Sequence, residues 1–547
     1  MRKFSHLLLG ISLCASLHAR AQDNNYDALA RTFSQTGPSG SARFQAIGGT
    51  HAALGADAST LIGNPAGMGF YTRSELNFTP GAAFQKNDAT YLGNTRSDSK
   101  GNFNLGNLGI IFAGNRTNPV TTGRWRGGAI GLGYTRSYGL NNSISFGGTN
   151  NQSSQADAFA EEANREANSS GITVQDFRDD LNQNGNTFDF PTSMYYYGFL
   201  IDPNSQNGPP YSGAEPRKAT NQTFRFSATG ATSQWTLAYG ASYDDKLYLG
   251  ASLGLARMRY TTTKTTQEQF TNPTQIQGFT FENSLNTRGG GINFAVGAIY
   301  RPVDFLRIGA SITSPTWFNI SETTESNLQV SLARPIDVGP SNANDPQLTN
   351  LLNRLSGAGY RIATQNGRTV IGEIPRLAVK PFDSQYQLRT PFKANGGVAV
   401  FFGKAAFISG NVEYVAYEGM RLSSNDQNAD GDLQNGSYTD DVKRQYQNVL
   451  NYKLGGEYRI QNIHLRAGLS YYADPYKQTF DDLDRTRTIY SAGIGYRTDK
   501  FYVDVAGLYG KSSSAYSPYV LNNTADYGSA TINNATSQVV LSVGTYF

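Results

Sequence analysis

Apolar side chains recur at every second position in many segments of this chain, and this alternation constrains its fold more than any other feature. The clearest segment ends the chain, where Val539, Leu541, Val543 and Phe547 lie on one face. Successive side chains of a β-strand point to opposite faces, so such a strand can turn one face to lipid and the other to a lumen. The pattern therefore predicts a membrane-spanning barrel, with an ordinary half-buried strand as the alternative.

The same period recurs in segments about as long as the roughly 9 to 11 residues that a tilted strand needs to cross a bilayer. One outward row consists of Leu247, Leu249, Ala251, Leu253 and Leu255. The runs predict an all-β fold of fourteen antiparallel strands, near residues 74–84, 103–113, 126–138, 233–243, 246–260, 284–301, 305–320, 384–402, 405–421, 447–459, 462–473, 487–497, 500–511 and 536–547.

The connections between these segments alternate in length. Asp244-Asp245, Gly403-Lys404 and Thr498-Asp499 are tight turns, whereas residues 139–232 and 321–383 are long and polar. Outer-membrane barrels have short periplasmic turns and longer extracellular loops. We therefore expect residues 73–547 to form the barrel, with both chain ends on the periplasmic side.

The first 21 residues have the features of a secretory signal peptide. Arg2 and Lys3 supply the positive start, an apolar stretch covers residues 7–17, and Ala19-Arg20-Ala21 provides a cleavage site with small residues. We expect residues 1–21 to be removed. Cys14, the only cysteine, lies in this segment, so the mature chain would have no disulfide or thiolate metal site.

The chain contains 59 glycines, 33 tyrosines and 30 phenylalanines, a composition typical of membrane barrels but also found in secreted β-sandwiches and propellers. Beyond residue 21 no uninterrupted apolar run reaches the roughly 18 residues of a membrane helix, which excludes a helical membrane protein. Without Arg2, Lys3 and Arg20, 43 basic residues remain against 42 acidic ones. This balance gives no indication of nucleic acid as a partner.

Residues 22–72 are rich in small side chains and lack the two-residue period, so we predict a plug, or hatch, rather than a wall strand. This segment contains Ala56-Asp57-Ala58-Ser59-Thr60 and then Asn64-Pro65-Ala66. With fourteen strands and two long loops, these runs resemble the FadL/TodX family of outer-membrane transport proteins. Asn64, Pro65 and Ala66 are the candidate hatch residues.

The resemblance implies an integral protein of a Gram-negative outer membrane whose fourteen-stranded barrel is closed by the hatch. It implies that a hydrophobic molecule such as a long-chain fatty acid is captured outside, passes a site beside the hatch and leaves through a gap in the wall. The terminal row ending at Phe547 resembles the signal recognised by the barrel assembly machinery. Expected partners are thus a hydrophobic ligand, outer-membrane lipid and that machinery during biogenesis.

Two apolar helix faces are predicted in the long loops. One helix begins at Thr173 and is followed by an aromatic run; the other has Asp345 as N-cap, Pro346 at its first position and Gly357 after its end. Apolar faces above a barrel mouth either pack on each other or enclose a ligand groove. The candidate ligand-binding residues are Phe177, Leu181, Tyr197, Phe199, Leu348, Leu352 and Leu355.

Charged residues lie on the inward rows of four predicted strands: Glu413, Lys453, Glu457, Arg459, His464, Arg466 and Asp504. Opposite charges on neighbouring strands can pair across the wall and anchor the hatch, as buried ions need partners. Alternatively, Arg459 or Arg466 attracts the carboxylate of a ligand. We therefore add Arg466 to the candidate ligand-binding residues.

The sequence predicts no catalytic residue, metal or cofactor. Beyond the signal only His51 and His464 remain as histidines, without a recognisable catalytic partner, and no Gly-x-Ser-x-Gly segment occurs. The Asp426 to Asp432 loop and the segment 180–185 resemble calcium loops but lack the glutamate at position twelve. A hydrophobic-compound transporter is the leading hypothesis; a non-transporting assembly or secretion component on the same barrel and a barrel enzyme are the alternatives.

Overall fold

The alternating segments pair as antiparallel neighbours, and the last of them pairs with the first. The computed structural model describes residues 26–547 except 115–123, 206–207, 217, 342–344, 427–428 and 430. The predicted signal peptide, Cys14 and the first predicted hatch residues lie outside the described residues, as does part of the Asp426 to Asp432 loop.

The strands in chain order are β1 (Glu75–Tyr91), β2 (Asn94–Ala113), β3 (Trp125–Gly139), β4 (Asn142–Asn150), β5 (Thr187–Phe188), β6 (Ile201–Ser205), β7 (Gly208–Gly213), β8 (Thr220–Tyr243), β9 (Leu247–Phe270), β10 (Ile276–Val303), β11 (Leu306–Thr313), β12 (Trp317–Leu332), β13 (Ile336–Pro340), β14 (Arg361–Gln365), β15 (Arg368–Glu373), β16 (Leu377–Arg389), β17 (Lys393–Phe402), β18 (Ala406–Val415), β19 (Arg421–Ser423), β20 (Val449–Ile460), β21 (Ile463–Tyr472), β22 (Arg487–Arg497), β23 (Phe501–Tyr516) and β24 (Ala530–Tyr546).

The helices in chain order are α1 (Tyr26–Phe33), α2 (Ala42–Ala46), α3 (Gln155–Ser170), α4 (Val174–Asn184), α5 (Pro191–Tyr197), α6 (Pro346–Gly357), α7 (Gly431–Asn435) and α8 (Ser437–Gln445), with 3₁₀ helices at Ala58–Leu61, Pro65–Phe70 and Tyr417–Gly419. None of the helices in the described part of the chain is long and apolar enough to cross a membrane.

The predicted closed barrel of fourteen antiparallel wall strands is confirmed. Glu75 on β1 lies opposite Ile111 on β2 and opposite Tyr546 on β24, which closes the ring. Three wall strands consist of consecutive segments, namely β11 with β12, β16 with β17, and β18 with β19. β4 continues β3 along the edge of β8.

The outward rows predicted from the sequence face away from the lumen. Leu237 and Leu255 are 48% and 57% exposed, and Phe294 is 49% exposed, although all three are large apolar side chains. Such a belt on a closed barrel is the surface that hydrocarbon covers. We therefore treat the barrel as spanning a membrane.

Several wall strands continue far beyond the length that a bilayer requires. β8, β9 and β10 contain 24, 24 and 28 residues, against the roughly 9 to 11 needed for a crossing. The interval 139–232, expected to be a loop, therefore contains β4 and the first half of β8. The alternation predicts where the apolar face ends, but backbone pairing continues into the polar region.

Two neighbouring wall strands are interrupted at the same height. Pro315 lies between β11 and β12, and Pro391 lies between β16 and β17; proline has no N–H group to donate to a neighbouring strand. The backbone N–H of Thr390 donates to the carbonyl of Thr316 at 3.0 Å, and the N–H of Thr316 donates to Oγ1 of Thr390 at 2.8 Å. We call residues 314–316 and 390–392 the wall seam.

The segment before β1 lies inside the barrel, as predicted for a hatch. Its close packing depends on wall glycines, because an added Cβ would lie 3.0 Å or less from atoms of the hatch. At Gly309 it would lie 1.8 Å from the carbonyl oxygen of Ala52, and at Gly455 2.1 Å from that of Ile47. Glycines of this kind include one on each of eight wall strands, namely Gly240, Gly250, Gly297, Gly309, Gly397, Gly455, Gly468 and Gly493.

The two long loops form a common apolar core above the barrel. Phe159 of α3 and Tyr195 of α5 stack with ring centroids 3.9 Å apart. Phe177 of α4 and Leu355 of α6 belong to the same buried cluster, which also covers Phe279 of β10. The two long loops therefore form one packed unit attached to the ends of the long strands.

Candidate functional site

The lumen contains a large cavity between the loops and the hatch, which we call the upper cavity. Its volume is about 1430 Å³, larger than the roughly 300 to 1,000 Å³ of ordinary ligand pockets. Aromatic side chains from distant parts of the chain line it, including Tyr138, Phe226, Tyr260, Tyr472, Phe480 and Tyr516. Rings of this kind offer apolar faces together with polar edges.

The cavity is also rich in positive charge. Arg444 and Arg485 form ion pairs with Asp441 and Asp481. In the described part of the chain, five further lining cations have no carboxylate within 4.0 Å: Arg31, Lys100, Arg136, Lys264 and Arg487. The lining therefore combines aromatic surface with cations that are available to an acidic group.

Helix α1 lies along one side of the upper cavity and packs beneath the loop that joins β19 to β20. The hydroxyl of Tyr26 donates to Oε1 of Glu322 at 3.0 Å, and its ring packs edge-on against Tyr386 and Tyr438. Asp27 is buried, and burial raises its pKa to about 6. Both ends of α1 are thus fixed by buried aromatic contacts, since Phe33 packs against Tyr260.

A smaller cavity of about 190 Å³ lies below the segment that follows α1, and we call it the lower cavity. Residues Gln35 to Ser39 line both cavities and form the partition between them. Below the partition, the lower cavity is bordered by His51 of the hatch, by both halves of the wall seam and by Lys393 and Asn395 of β17. The two cavities, separated by this partition, thus follow one another from the loops to the seam.

Two of the charged groups of the lower cavity form an ion pair with each other, and a third does not. Nζ of Lys453 lies 2.6 Å from Oε2 of Glu413, and both side chains are buried. Lys393 makes no ion pair or hydrogen bond within the described part of the chain, although it interacts electrostatically with Glu413. Burial lowers the pKa of His51 to about 4, with a contribution from the Lys453 ammonium, so this hatch imidazole is neutral at pH 7.

The Asn64-Pro65-Ala66 motif ties the hatch to the wall. Asn64 caps the 3₁₀ helix Pro65–Phe70, because its Oδ1 accepts from the N–H of Ala66 at 3.1 Å. Its Nδ2 donates to the carbonyl of Ala52 at 2.6 Å and to those of Ala298 and Ala310, each at 3.3 Å. One buried amide therefore connects two parts of the hatch with β10 and β11.

The expected pairing of inward charges is present, and it includes the hatch. Glu457 accepts from Nε of Arg466 at 2.7 Å and from Nε of Arg43, in the hatch, at 3.3 Å. Arg466 also lies 2.6 Å from Asp504, and both side chains are fully buried. Arg466 lines neither cavity. Its contacts place it within a network that joins the hatch to β20, β21 and β23.

The predicted loop residues are brought together, but away from the lumen. Phe177, Leu181, Tyr197 and Leu355 are buried in the loop core, and Phe199 packs against it. Leu348 and Leu352 are half-buried. None of these seven residues lines the upper or the lower cavity, so their role in ligand binding stays a prediction.

Of the charged residues that line the two cavities, the sequence predicts Glu413 and Lys453 as inward-facing, whereas the other lining cations are not among the residues that it indicates. Lys393 does have a signal, because it follows Pro391 within an alternating segment and occupies the inward phase with Asn395. The cations of the upper cavity have none, because Arg31, Lys264 and Arg487 are far apart in sequence and converge only when the barrel closes.

Comparison with solved structures finds similar chains. The toluene transporter TodX of P. putida aligns with 93% of this chain and 99% of its own, at 12% identity and a TM-score of 0.50. A Pseudomonas aeruginosa FadL homologue aligns with 94% and 99% at 12% identity and a TM-score of 0.49. No family model and no curated protein matches the chain. The similarity to TodX is one of fold, and it extends over nearly the whole chain.

Proposed function

We propose that this protein is an integral outer-membrane channel that admits small hydrophobic molecules such as long-chain fatty acids. The observation that carries the proposal is the aromatic upper cavity, enclosed between packed loops and a hatch inside a barrel with an apolar exterior. The lumen of a water-filled porin is polar. In the aromatic cavity, by contrast, binding of an apolar molecule is stabilised by about 25 cal/mol for each Å² of apolar surface that it buries. The fold shared with a toluene transporter agrees with this function.

The route that we propose follows the two cavities. A molecule enters the upper cavity under the loops, passes the partition at Gln35 to Ser39 and reaches the lower cavity. From there the nearest interruption of the wall is the seam at Pro315 and Pro391, where few backbone hydrogen bonds would have to open. Exit at this height would deliver an apolar molecule into the membrane rather than into water.

Uptake measurements test the proposal. The full-length protein is expressed in a Gram-negative host that lacks its own channels for hydrophobic compounds, and uptake of radiolabelled toluene and dodecanoate is compared with that of glucose. We expect faster uptake of one or both hydrophobic compounds than in cells with an empty vector, and unchanged glucose uptake. Vector-level uptake of both compounds, with folded protein in the outer membrane, would contradict the proposal.

Mass spectrometry of the protein purified in mild detergent provides a second measurement. Apolar molecules retained in the lumen would support the channel. A stoichiometric protein partner in place of such molecules would favour an assembly or secretion component on the same barrel.

A further inference from the structure

Three exposed arginines lie on the outer surface of the barrel, directly beyond its apolar belt. The apolar part of the outward row of β9 runs from Leu247 to Leu255, and the next two outward residues are Arg257 and Arg259. Arg288 lies on β10, opposite Arg259. The pairing of β9 with β8 and β10 shows no register shift, so the three side chains stay in phase with the apolar row and point away from the lumen. We call Arg257, Arg259 and Arg288 the outer arginine cluster.

The cluster lies at the depth of the lipid headgroups. The apolar row from Leu247 to Leu255 already has the length of the roughly 9 to 11 residues with which a tilted strand crosses a bilayer. Trp235 and Trp317, 47% and 45% exposed, lie opposite Leu255 and Ile292 at this end of the belt, as in the aromatic girdle of a membrane barrel. A short turn precedes β9 at the other end. The cluster is therefore on the side of the long loops, which is the extracellular side.

The three guanidinium groups lack a counter-charge from the protein. In the part of the chain that the structure describes, their side chains make no ion pair and no hydrogen bond, and like charges directly opposite each other, as at Arg259 and Arg288, destabilise a sheet. β8 and β9, both described over their whole length, have no acidic residue on their outward rows.

The acidic residues of the neighbouring strands do not supply this charge. On the outward row of β10 the first is Glu282, which pairs with Arg376 at 3.6 Å. On that of β12 the first is Glu325, about 13 Å along the strand from the position opposite Arg288. The outer arginine cluster therefore attracts an anion from outside the protein.

A notch in the outer surface lies within the cluster. Gly290 is exposed on the outward row of β10, opposite Arg257 and two residues from Arg288. An added Cβ would meet no atom within 4 Å, so the backbone is bare here, with Asn319 of β12 on its other side. Two guanidinium groups and an amide around open backbone offer hydrogen-bond donors to several oxygens of one phosphate, a group that arginine binds with paired N–H donors.

The geometry points to a lipid site: we propose that the outer arginine cluster binds a phosphate group of lipid A, the phosphorylated glycolipid of the outer leaflet. Acyl chains would pack along the exposed side chains of Leu255 and Ile292 while the phosphate reaches the notch at Gly290. Basic clusters just beyond a membrane-spanning segment recognise anionic headgroups in this way. The inference goes beyond the proposed channel, because it concerns the outer surface of the barrel and does not depend on what passes through the lumen.

Native mass spectrometry of the full-length protein in mild detergent measures this binding. Lipid A with both phosphates is compared with the same lipid after enzymatic removal of its phosphates. We expect the phosphorylated lipid to bind at least about tenfold more tightly, because charge-assisted hydrogen bonds between arginine and phosphate are strong. Equal affinities in the unaltered protein would overturn the inference without the need for any variant.

Matched variants locate the contact. Arg257→Gln/Arg259→Gln/Arg288→Gln should lower the affinity for lipid A to that for the dephosphorylated lipid. Arg225→Gln is the control, since Arg225 is exposed on the outward row of β8, opposite Thr265 and farther from the apolar belt, and its change should alter neither affinity. Heat-modifiable migration on gels verifies that each variant is folded. A preference for lipid A that survives the triple substitution would place the phosphate elsewhere and contradict the proposed site.

A variant that keeps every charge tests the notch. Gly290→Leu fills the open space between the arginines, so we expect severalfold weaker binding of lipid A. An unchanged affinity would show that positive charge alone attracts the lipid and would overturn the site at the notch.

Two further measurements separate the lipid and the channel. Phosphatidylglycerol, which has one phosphate and no sugar, should bind more weakly than lipid A, and equal affinity would overturn the assignment to the glycolipid. Uptake of toluene and dodecanoate by cells with the triple variant should equal that of the unaltered protein. The channel and the lipid site are thus measured independently, and failure of one proposal leaves the other standing.

Discussion

A Cβ atom added to Gly297 on the barrel wall would lie 1.9 Å from Oδ1 of Asn64 in the hatch. That distance is shorter than any non-bonded contact, and Asn64 has little room to move because its Nδ2 is bonded to three carbonyls. The wall glycine and the hatch amide therefore fit only as a pair. A single methyl group added at Gly297 can therefore displace the hatch.

We expect Gly297→Ala to displace the hatch while the barrel still assembles. The methyl group must push Asn64 away from the carbonyls of Ala298 and Ala310, which removes hydrogen bonds worth about 0.5–1.5 kcal/mol each. Single-channel conductance in planar bilayers should rise, and proteolysis of the hatch should become faster. Gly290→Ala on the same strand is the control, since an added Cβ there meets no atom within 4 Å; equal behaviour of the two variants would show that the hatch does not depend on this contact.

The second prediction concerns the buried charge network. Glu457→Gln removes the charge that Arg43 and Arg466 share, and breaking a buried ion pair by removal of one partner costs about 3–5 kcal/mol. We expect a lower denaturant midpoint of unfolding and faster release of the hatch. Glu418→Gln breaks the partly exposed pair with Lys477 and should cost about 0–1 kcal/mol, so a similar loss in both variants would contradict the anchoring role.

The strands and the hatch could be predicted from the sequence because their signals are local. Leu249 and Leu255 lie on one face at any register, and Asn64 with Pro65 marks a capped turn wherever it occurs. The lumenal site is different, because Arg31, Lys264 and Lys393 come from the hatch and two separate wall strands. Which residues converge there depends on the path of the hatch and on barrel closure, and neither has a local sequence pattern.

The extracellular face of the protein should lose order in acid through Glu215. Burial raises the pKa of this carboxyl, but the Lys218 ammonium and the backbone N–H groups of Gln275, Thr274 and Ile276 outweigh burial. Together they lower the pKa to about 2, below its ordinary value of 4.5. A carboxyl whose pKa is lower in the folded than in the unfolded protein stabilises the fold fully at pH values above its unfolded-state pKa. That stabilisation is lost as the pH falls from about 4.5 to about 2.

Loop proteolysis as a function of pH measures this contribution. At pH 7 Glu215→Gln should make the turn between β9 and β10 more susceptible, because Gln275 and Ile276 lose their carboxylate acceptor. The difference between the variant and the unaltered protein should shrink as the pH falls through about 2, because both carry a neutral side chain only below that pH. A difference of the same size in acid would show that the variant acts through altered side-chain packing and not through loss of the carboxylate charge.

The fourth prediction separates the loop core from ligand binding. Leu355 is 3% exposed, so Leu355→Asp buries a charge. The substitution should destabilise the packed loop core by several kcal/mol. Half-buried Leu352 should tolerate Asp better. If ligands bind in the lumen, affinity for 4-phenylbutyrate should follow loop order in both variants; a loss of affinity in Leu352→Asp with loops that resist protease would instead support a groove between the helices.

The last prediction concerns the wall seam, where Thr316 and Thr390 face each other and exchange two hydrogen bonds. Directly opposed residues of antiparallel strands have Cα atoms about 4.5–5.5 Å apart, within the range that a disulfide bridges. Thr316→Cys/Thr390→Cys should therefore form a disulfide that fixes β12 to β16. If molecules leave through the seam, uptake of toluene or dodecanoate should fall to the vector level under oxidising conditions and recover with reductant.

Ala515→Cys/Thr531→Cys, which joins β23 to β24 at a paired position far from the seam, is the control and should leave uptake unchanged in both states. Uptake that continues through a barrel with an oxidised seam would place the exit at another part of the wall, whereas equal loss in both pairs would show that the barrel must flex as a whole.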